Sequence, residues 1–167
     1  MLNTLFAVLS LSLGPRLCSV VPNGGPQARS WMDDATLVVR ARVLSRDTGV
    51  VRITRQQVQF RIEEVLKSNA TPIPTAIALD GYTADRDDFN KGPVPYDYVR
   101  PSGLMGSCFA DQYRPGADYL LLLVESKPGV FTTHWAPLLP VNEQLHGTDD
   151  PWLAWVRAHV ARAPGKL

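Results

Sequence analysis

Cysteine, histidine and surplus charge are all scarce in this chain, and each scarcity removes a class of function. Two cysteines and three histidines among 167 residues provide no H-x-x-x-H pair and no Cys/His spacing that would bring two ligands onto one zinc. Seventeen basic side chains stand against sixteen acidic ones, for a formal charge of +1. No cationic excess is therefore available to displace counterions from a nucleic acid. No apolar run approaches the ~20 residues that a membrane-crossing helix requires. No serine stands in a G-x-S-x-G frame, and there is no internal repeat, heptad run or low-complexity tract.

What is present describes one globular domain. Hydrophobic residues make up 45% and charged residues 20%, enough to bury a core. The 14 prolines and 12 glycines cluster between short apolar runs, which favours many turns over long helices and a mainly β fold. Leu5 to Leu13 has the length of the apolar region of a secretory signal and is too short to span a bilayer. Residues 1–19 therefore read as a signal segment or N-terminal anchor, and residues 20–167 as a single domain. The expected location is secreted or periplasmic, with membrane association if the segment stays uncleaved. In such an oxidising compartment an even pair of cysteines, Cys18 and Cys108, makes one disulfide the simple hypothesis. The alternative is that Cys18 leaves with the signal or stays free.

Periodicity places the elements. Gln27 to Asp34 can make one or two helical turns that bury Trp31. Thr36 to Arg46 puts Leu37, Val39, Ala41 and Val43 on one face and Arg40 and Arg42 on the other, the alternation of a strand. Val50 to Lys67 alternates through Val58, Phe60 and Ile62, then slips at Glu63-Glu64, which predicts a bulge. Thr75 to Asp80 is a short strand with Ile77 and Leu79 inward. Asp118 to Glu125 is a continuous apolar strand, expected to be buried on both faces. A Lys127-Pro128-Gly129 turn leads into a last strand, Val130 to Leu139. Residues 150–162 form the clearest helix: Asp149 or Asp150 caps it, Pro151 suits its first turn, and Trp152, Trp155, Val156, His159 and Val160 form its stripe.

Asp80 to Ser107 has no apolar period, and an irregular stretch of that length in a small domain is usually functional or disordered. Its aromatics, Tyr82, Phe89, Tyr96 and Tyr98, argue for packing, either as a seal over one end of a barrel or as a contact surface of large area and low side-chain entropy. Asp85, Asp87, Asp88 and Asn90 lack the spacing of a calcium loop. They read as an Arg-paired or solvated turn whose Asx side chains bond their own backbone.

Taken together, Asp34 to Leu44, Val58 to Lys67, and Cys108 followed by Pro115-Gly116-Ala117-Asp118-Tyr119-Leu120 resemble the N-terminal domain of the tissue inhibitors of metalloproteinases and the related netrin-like modules. The likeness covers most of Cys18 to about Trp135. It implies a five-stranded OB-like Greek-key barrel, here with a short N-terminal helix, a long aromatic loop and a C-terminal helix, and it too implies a Cys18–Cys108 bond. The inhibitors chelate a protease's zinc through a Cys-x-Cys start, and Val20 stands where the second cysteine belongs. Pro140 to Leu145 and Asp150 to Trp155 resemble a group of exported bacterial proteins, a likeness that implies no activity.

The reading that follows is an exported, non-catalytic binding or accessory module without a cofactor. It would recognise a protein or envelope component through Tyr82, Phe89, Tyr96 and Tyr98. The alternatives are a metalloprotease inhibitor, or a hydrolase or metal-dependent enzyme with a non-contiguous site. Convergence of His134, Asp87, Asp88 and Glu143 in one cleft would favour the enzyme.

Overall fold

The computed structural model describes residues 24–44, 56–95, 100–104, 110–136, 139–140 and 142–162. In chain order the elements are α1 (Gly24–Asp34), β1 (Leu37–Val43), β2 (Gln56–Ser68), β3 (Ala76–Thr83), α2 (Pro101–Leu104), β4 (Gln112–Tyr113), β5 (Asp118–Lys127), β6 (Val130–Thr133), β7 (Trp135–Ala136), β8 (Leu139–Pro140), β9 (Asn142–Gln144) and α3 (Pro151–Arg162).

The two most apolar strands pair at the centre. β1 lies antiparallel between β2 and β5, with Leu37 opposite Leu123 and Ala41 opposite Tyr119. The main sheet runs β4-β3-β2-β1-β5-β6, and β9 joins it on β5. β9 pairs with the first half of β5 and β6 with the second, both along the edge opposite β1. The sheet is open and curled, so that β3 comes into contact with β6. Where β3 meets the parallel β4, Gly81 permits the approach: a Cβ there would lie 2.5 Å from the Asp111 carbonyl oxygen and 2.7 Å from Tyr113 Cε2.

Strand alternation divides the apolar residues between two cores. Leu37, Val39, Ala41 and Val43 pack with Phe60, Leu79, Tyr113, Tyr119 and Leu121 on one face. Three of these rings meet edge to face, Tyr113 lying 5.0 Å from Phe60 and 5.2 Å from Tyr119, a geometry worth about 0.5–1.5 kcal/mol per pair beyond area burial. On the other face Val38, Leu120 and Leu122 are covered by Ala28 and Met32 of α1 and by Trp152, Leu153 and Val156 of α3. This double cover is why Asp118–Lys127 opens with six consecutive buried residues.

Polar contacts fix the helices on the sheet. Lys67 of β2 donates to the Met32 and Asp33 carbonyls at 2.7 and 2.6 Å, satisfying acceptors that the end of α1 would leave open. Asp150 caps α3, accepting from the Trp152 amide at 2.8 Å and the His146 amide at 2.9 Å. Arg157 of α3 binds Glu64 of β2, which also takes Arg40, and Arg40 and Arg42 share Asp118.

Several expectations are refined. The N-terminal helix starts at Gly24, three residues earlier than read. The slip in the second strand is two register shifts, which pass over Leu66 and Glu63. The third strand continues to Thr83. The expected single strand Val130 to Leu139 is instead the separate pieces β6, β7 and β8, and β7 pairs with β8 in a sheet of its own. Trp155 of the helix stripe is half-buried, while Leu153, which the stripe omitted, is buried.

Candidate functional site

Among the described residues between β3 and β4 none joins a strand ladder, and buried side chains hold the backbone instead. At their centre is Arg100, whose side chain is wholly removed from solvent. Its Nη2 donates to the Ala110 carbonyl at 2.7 Å and to Asn142 Oδ1 at 2.6 Å. Its Nη1 donates to the Gln112 carbonyl at 2.6 Å and to Asp88 Oδ2 at 3.3 Å. The guanidinium carbon lies 5.1 and 5.0 Å from the Tyr113 and Tyr119 ring centres, close enough for cation–π attraction in a desolvated setting. The planar fork suits this position because one side chain serves four acceptors at fixed angles.

β9 supplies the facing surface. All three of its residues, Asn142, Glu143 and Gln144, are polar and buried. Asn142 donates to the Tyr113 hydroxyl at 3.2 Å. Gln144 accepts from the Asp88 amide at 2.8 Å and donates to Asp87 Oδ1 at 2.6 Å. Glu143 faces the other way and accepts from Asn90 Nδ2 at 3.2 Å. Its second oxygen has no hydrogen-bond partner among the described residues. Burial pushes the Glu143 carboxyl well above its usual range, against the pull of Arg100. Burial likewise pushes the Tyr113 hydroxyl up to about 12.

The acidic turn is Arg-paired. Asp87 binds Arg114, which holds its carboxyl below the usual range. Asp88 accepts from the Ser102 amide at 2.9 Å and from the Ser102 hydroxyl. Asn90 closes an Asx turn, accepting from the Gly92 amide at 2.9 Å. Among the described residues no three His, Cys, Asp or Glu side chains are grouped to hold a metal ion.

Of the residues singled out from sequence, Tyr82 belongs to β3, paired beside Gln112, and is half-buried. Phe89 is half-buried and stacks on His146, with ring centres 3.9 Å apart. Tyr96, Tyr98, Cys18 and Cys108 lie outside the described residues. Asp87 and Asp88 meet at Gln144, whereas Glu143, on the other side of β9, bonds the same loop only through Asn90. His134 stands apart: its amide bonds the Leu122 carbonyl, and burial lowers its imidazole while Asp34 acts to raise it. Sequence reasoning missed Arg100, Asn142 and Gln144. Compared with protein-family models and with curated proteins, the chain matches none.

Proposed function

We propose that this protein is an exported, non-catalytic binding or accessory module that contacts a protein or envelope component through the segment between β3 and β4. The observation that carries the reading is the anchoring of that segment by Arg100. A contact surface ordered before binding avoids the entropy of ordering it afterwards. Side chains hold residues 84–95 in place, and the aromatic positions Phe89, Tyr96 and Tyr98 fall in or just beyond this stretch. An OB-type barrel, as the resemblance implies, is supported by the order β3-β2-β1-β5-β6 and by the approach of β3 to β6.

The approach of Asp87 and Asp88 to β9, the strand that carries buried Glu143, is the observation that favours a hydrolase. Weighing against it, Asp87 and Asp88 are engaged by arginines, and Glu143 is buried, with desolvation pushing its carboxyl up. Replacing Tyr96 and Tyr98 by serine, in a chain carrying a photo-crosslinker at position 89, should abolish crosslinking to the native envelope fraction while the melting transition stays unchanged. Parallel loss of folding would assign the rings to the barrel seal. Turnover of any ester, peptide or glycoside by the purified protein would overturn the non-catalytic reading.

A further inference from the structure

A second candidate site lies between the two long helices and does not rest on the reading above. Arg29 of α1 and Arg162 of α3 line, with Trp155 and His159, a cleft of about 250 Å³. At ~30 Å³ per water this is room for roughly eight waters, or for one single-ring molecule.

The aromatic wall of the cleft is built from the core outward. Trp152 is buried, Trp155 stacks on it with ring centres 5.0 Å apart, and His159 lies on Trp155 at 5.5 Å and only 4° from parallel. Such a column keeps Trp155 and His159 in place whether or not anything is bound.

The cations of the cleft stand out by their lack of partners. Every other described arginine reaches a carboxylate or an amide side chain. Among the described residues Arg29 has no such bond, and Arg162 spends only its Nε, on the Ala158 carbonyl at 2.9 Å. Among the described residues the acid that bonds a cleft residue is Asp33, 64% exposed and 3.4 Å from His159 Nε2; Asp34 is 3.4 Å from the Ser30 hydroxyl. Two arginines thus line the cleft with no carboxylate bonded to either among the described residues, and the cleft favours an anion.

We propose that this cleft binds a small aromatic carboxylate, with the carboxylate between Arg29 and Arg162 and the ring against Trp155 and His159. A carboxylate matches the guanidinium fork by paired hydrogen bonds, and a ring uses the apolar wall that an inorganic anion would leave empty.

The test is a benzoate titration of the full chain, followed by the ¹⁵N–¹H signals of the Trp155 indole and the His159 ring. Saturable shifts at both are expected. Benzamide, which has the same shape without the charge, should bind about tenfold more weakly. The Arg29→Ala/Arg162→Ala variant should lose affinity by a similar factor, both side chains being exposed and outside the cores. Absence of saturable shifts would overturn the proposal. Benzamide binding as tightly as benzoate would show an uncharged slot, and inorganic phosphate binding as tightly would show that the ring counts for nothing; either result also sinks it. Should the double variant fail to fold, the ligand comparison on the natural chain still decides.

Discussion

Arg100 reaches Asn142 with an Nη2–Oδ1 distance of 2.6 Å, and this contact joins the irregular segment after β3 to a strand that enters the sheet more than forty positions later. The pair is buried, so each partner depends on the other for its lost hydration. Arg100→Ala should destabilise the fold by about 3–5 kcal/mol, because Asp88 and Asn142 would be left without their partner in a dry site. Arg100→Lys should rescue little, since an ammonium cannot reproduce the fork. Urea unfolding checks this; a midpoint unchanged in Arg100→Ala would remove the anchor role.

Asp118 makes the fold sensitive to acid. Its burial favours the neutral form, but hydrogen bonds from Arg42 and Arg40 outweigh that and hold the carboxyl below 3.8. Hydrogen bonding from Arg157 likewise lowers Glu64. A carboxyl lowered on folding adds stability above its unfolded pKa and loses it as pH falls through the folded value. Asp118→Asn should therefore cost about 1.5–3 kcal/mol at neutral pH, with the difference from the natural protein shrinking below about pH 4. A constant difference from pH 7 to pH 2 would contradict the assignment.

Glu143 acts in the opposite sense. Its carboxyl is raised well above 4.5 on folding, so the folded state holds a proton that the unfolded chain releases. Stability from this group is then present below about pH 4.5 and declines as pH rises toward the folded value. Glu143→Gln, which copies the neutral acid, should be close to neutral at pH 4 and stabilising at pH 7. Denaturation midpoints at the two pH values check it, and a variant less stable at pH 7 than the natural protein would refute the neutral state.

The helix on the far face supplies a graded comparison. Trp152→Ala, at a position 2% exposed, should cost about 3–5 kcal/mol, and Trp155→Ala should cost less because its ring is half-buried. Asp150→Ala should cost about 1–2 kcal/mol through loss of the cap; Asp150→Asn should retain most of it. Equal losses for the two tryptophans in chemical denaturation would show that the helix is seated differently.

Where side chains alternate or repeat by hydrophobicity, the fold was legible. Leu37 to Val43, Ile77 and Leu79, the apolar run from Asp118, and the helix after Asp150 all announce themselves by period. β9 did not. Asn142, Glu143 and Gln144 are buried in a strand, and their polarity reads as surface because their partners, Arg100, Asn90 and Asp88, lie some forty to sixty positions away. A lone arginine among Gly, Pro and Tyr likewise carries no local sign that it will be desolvated. The acidic turn was legible only as either Arg-paired or solvated, and which arginines it meets was set by tertiary packing.

The position of β1 has a consequence for biosynthesis. Arg42 meets Asp118 across 76 residues of chain, so a nascent polypeptide can assemble β1, β2 and β3 well before β5 has been made. During that interval the edge of Leu37–Val43 that β5 will occupy waits unpaired, and both cores lack the residues that β5 and α3 will bring. Such an edge templates association with other chains. A protein built this way gains from a chaperone, or from delayed folding, until the second half of the sheet arrives.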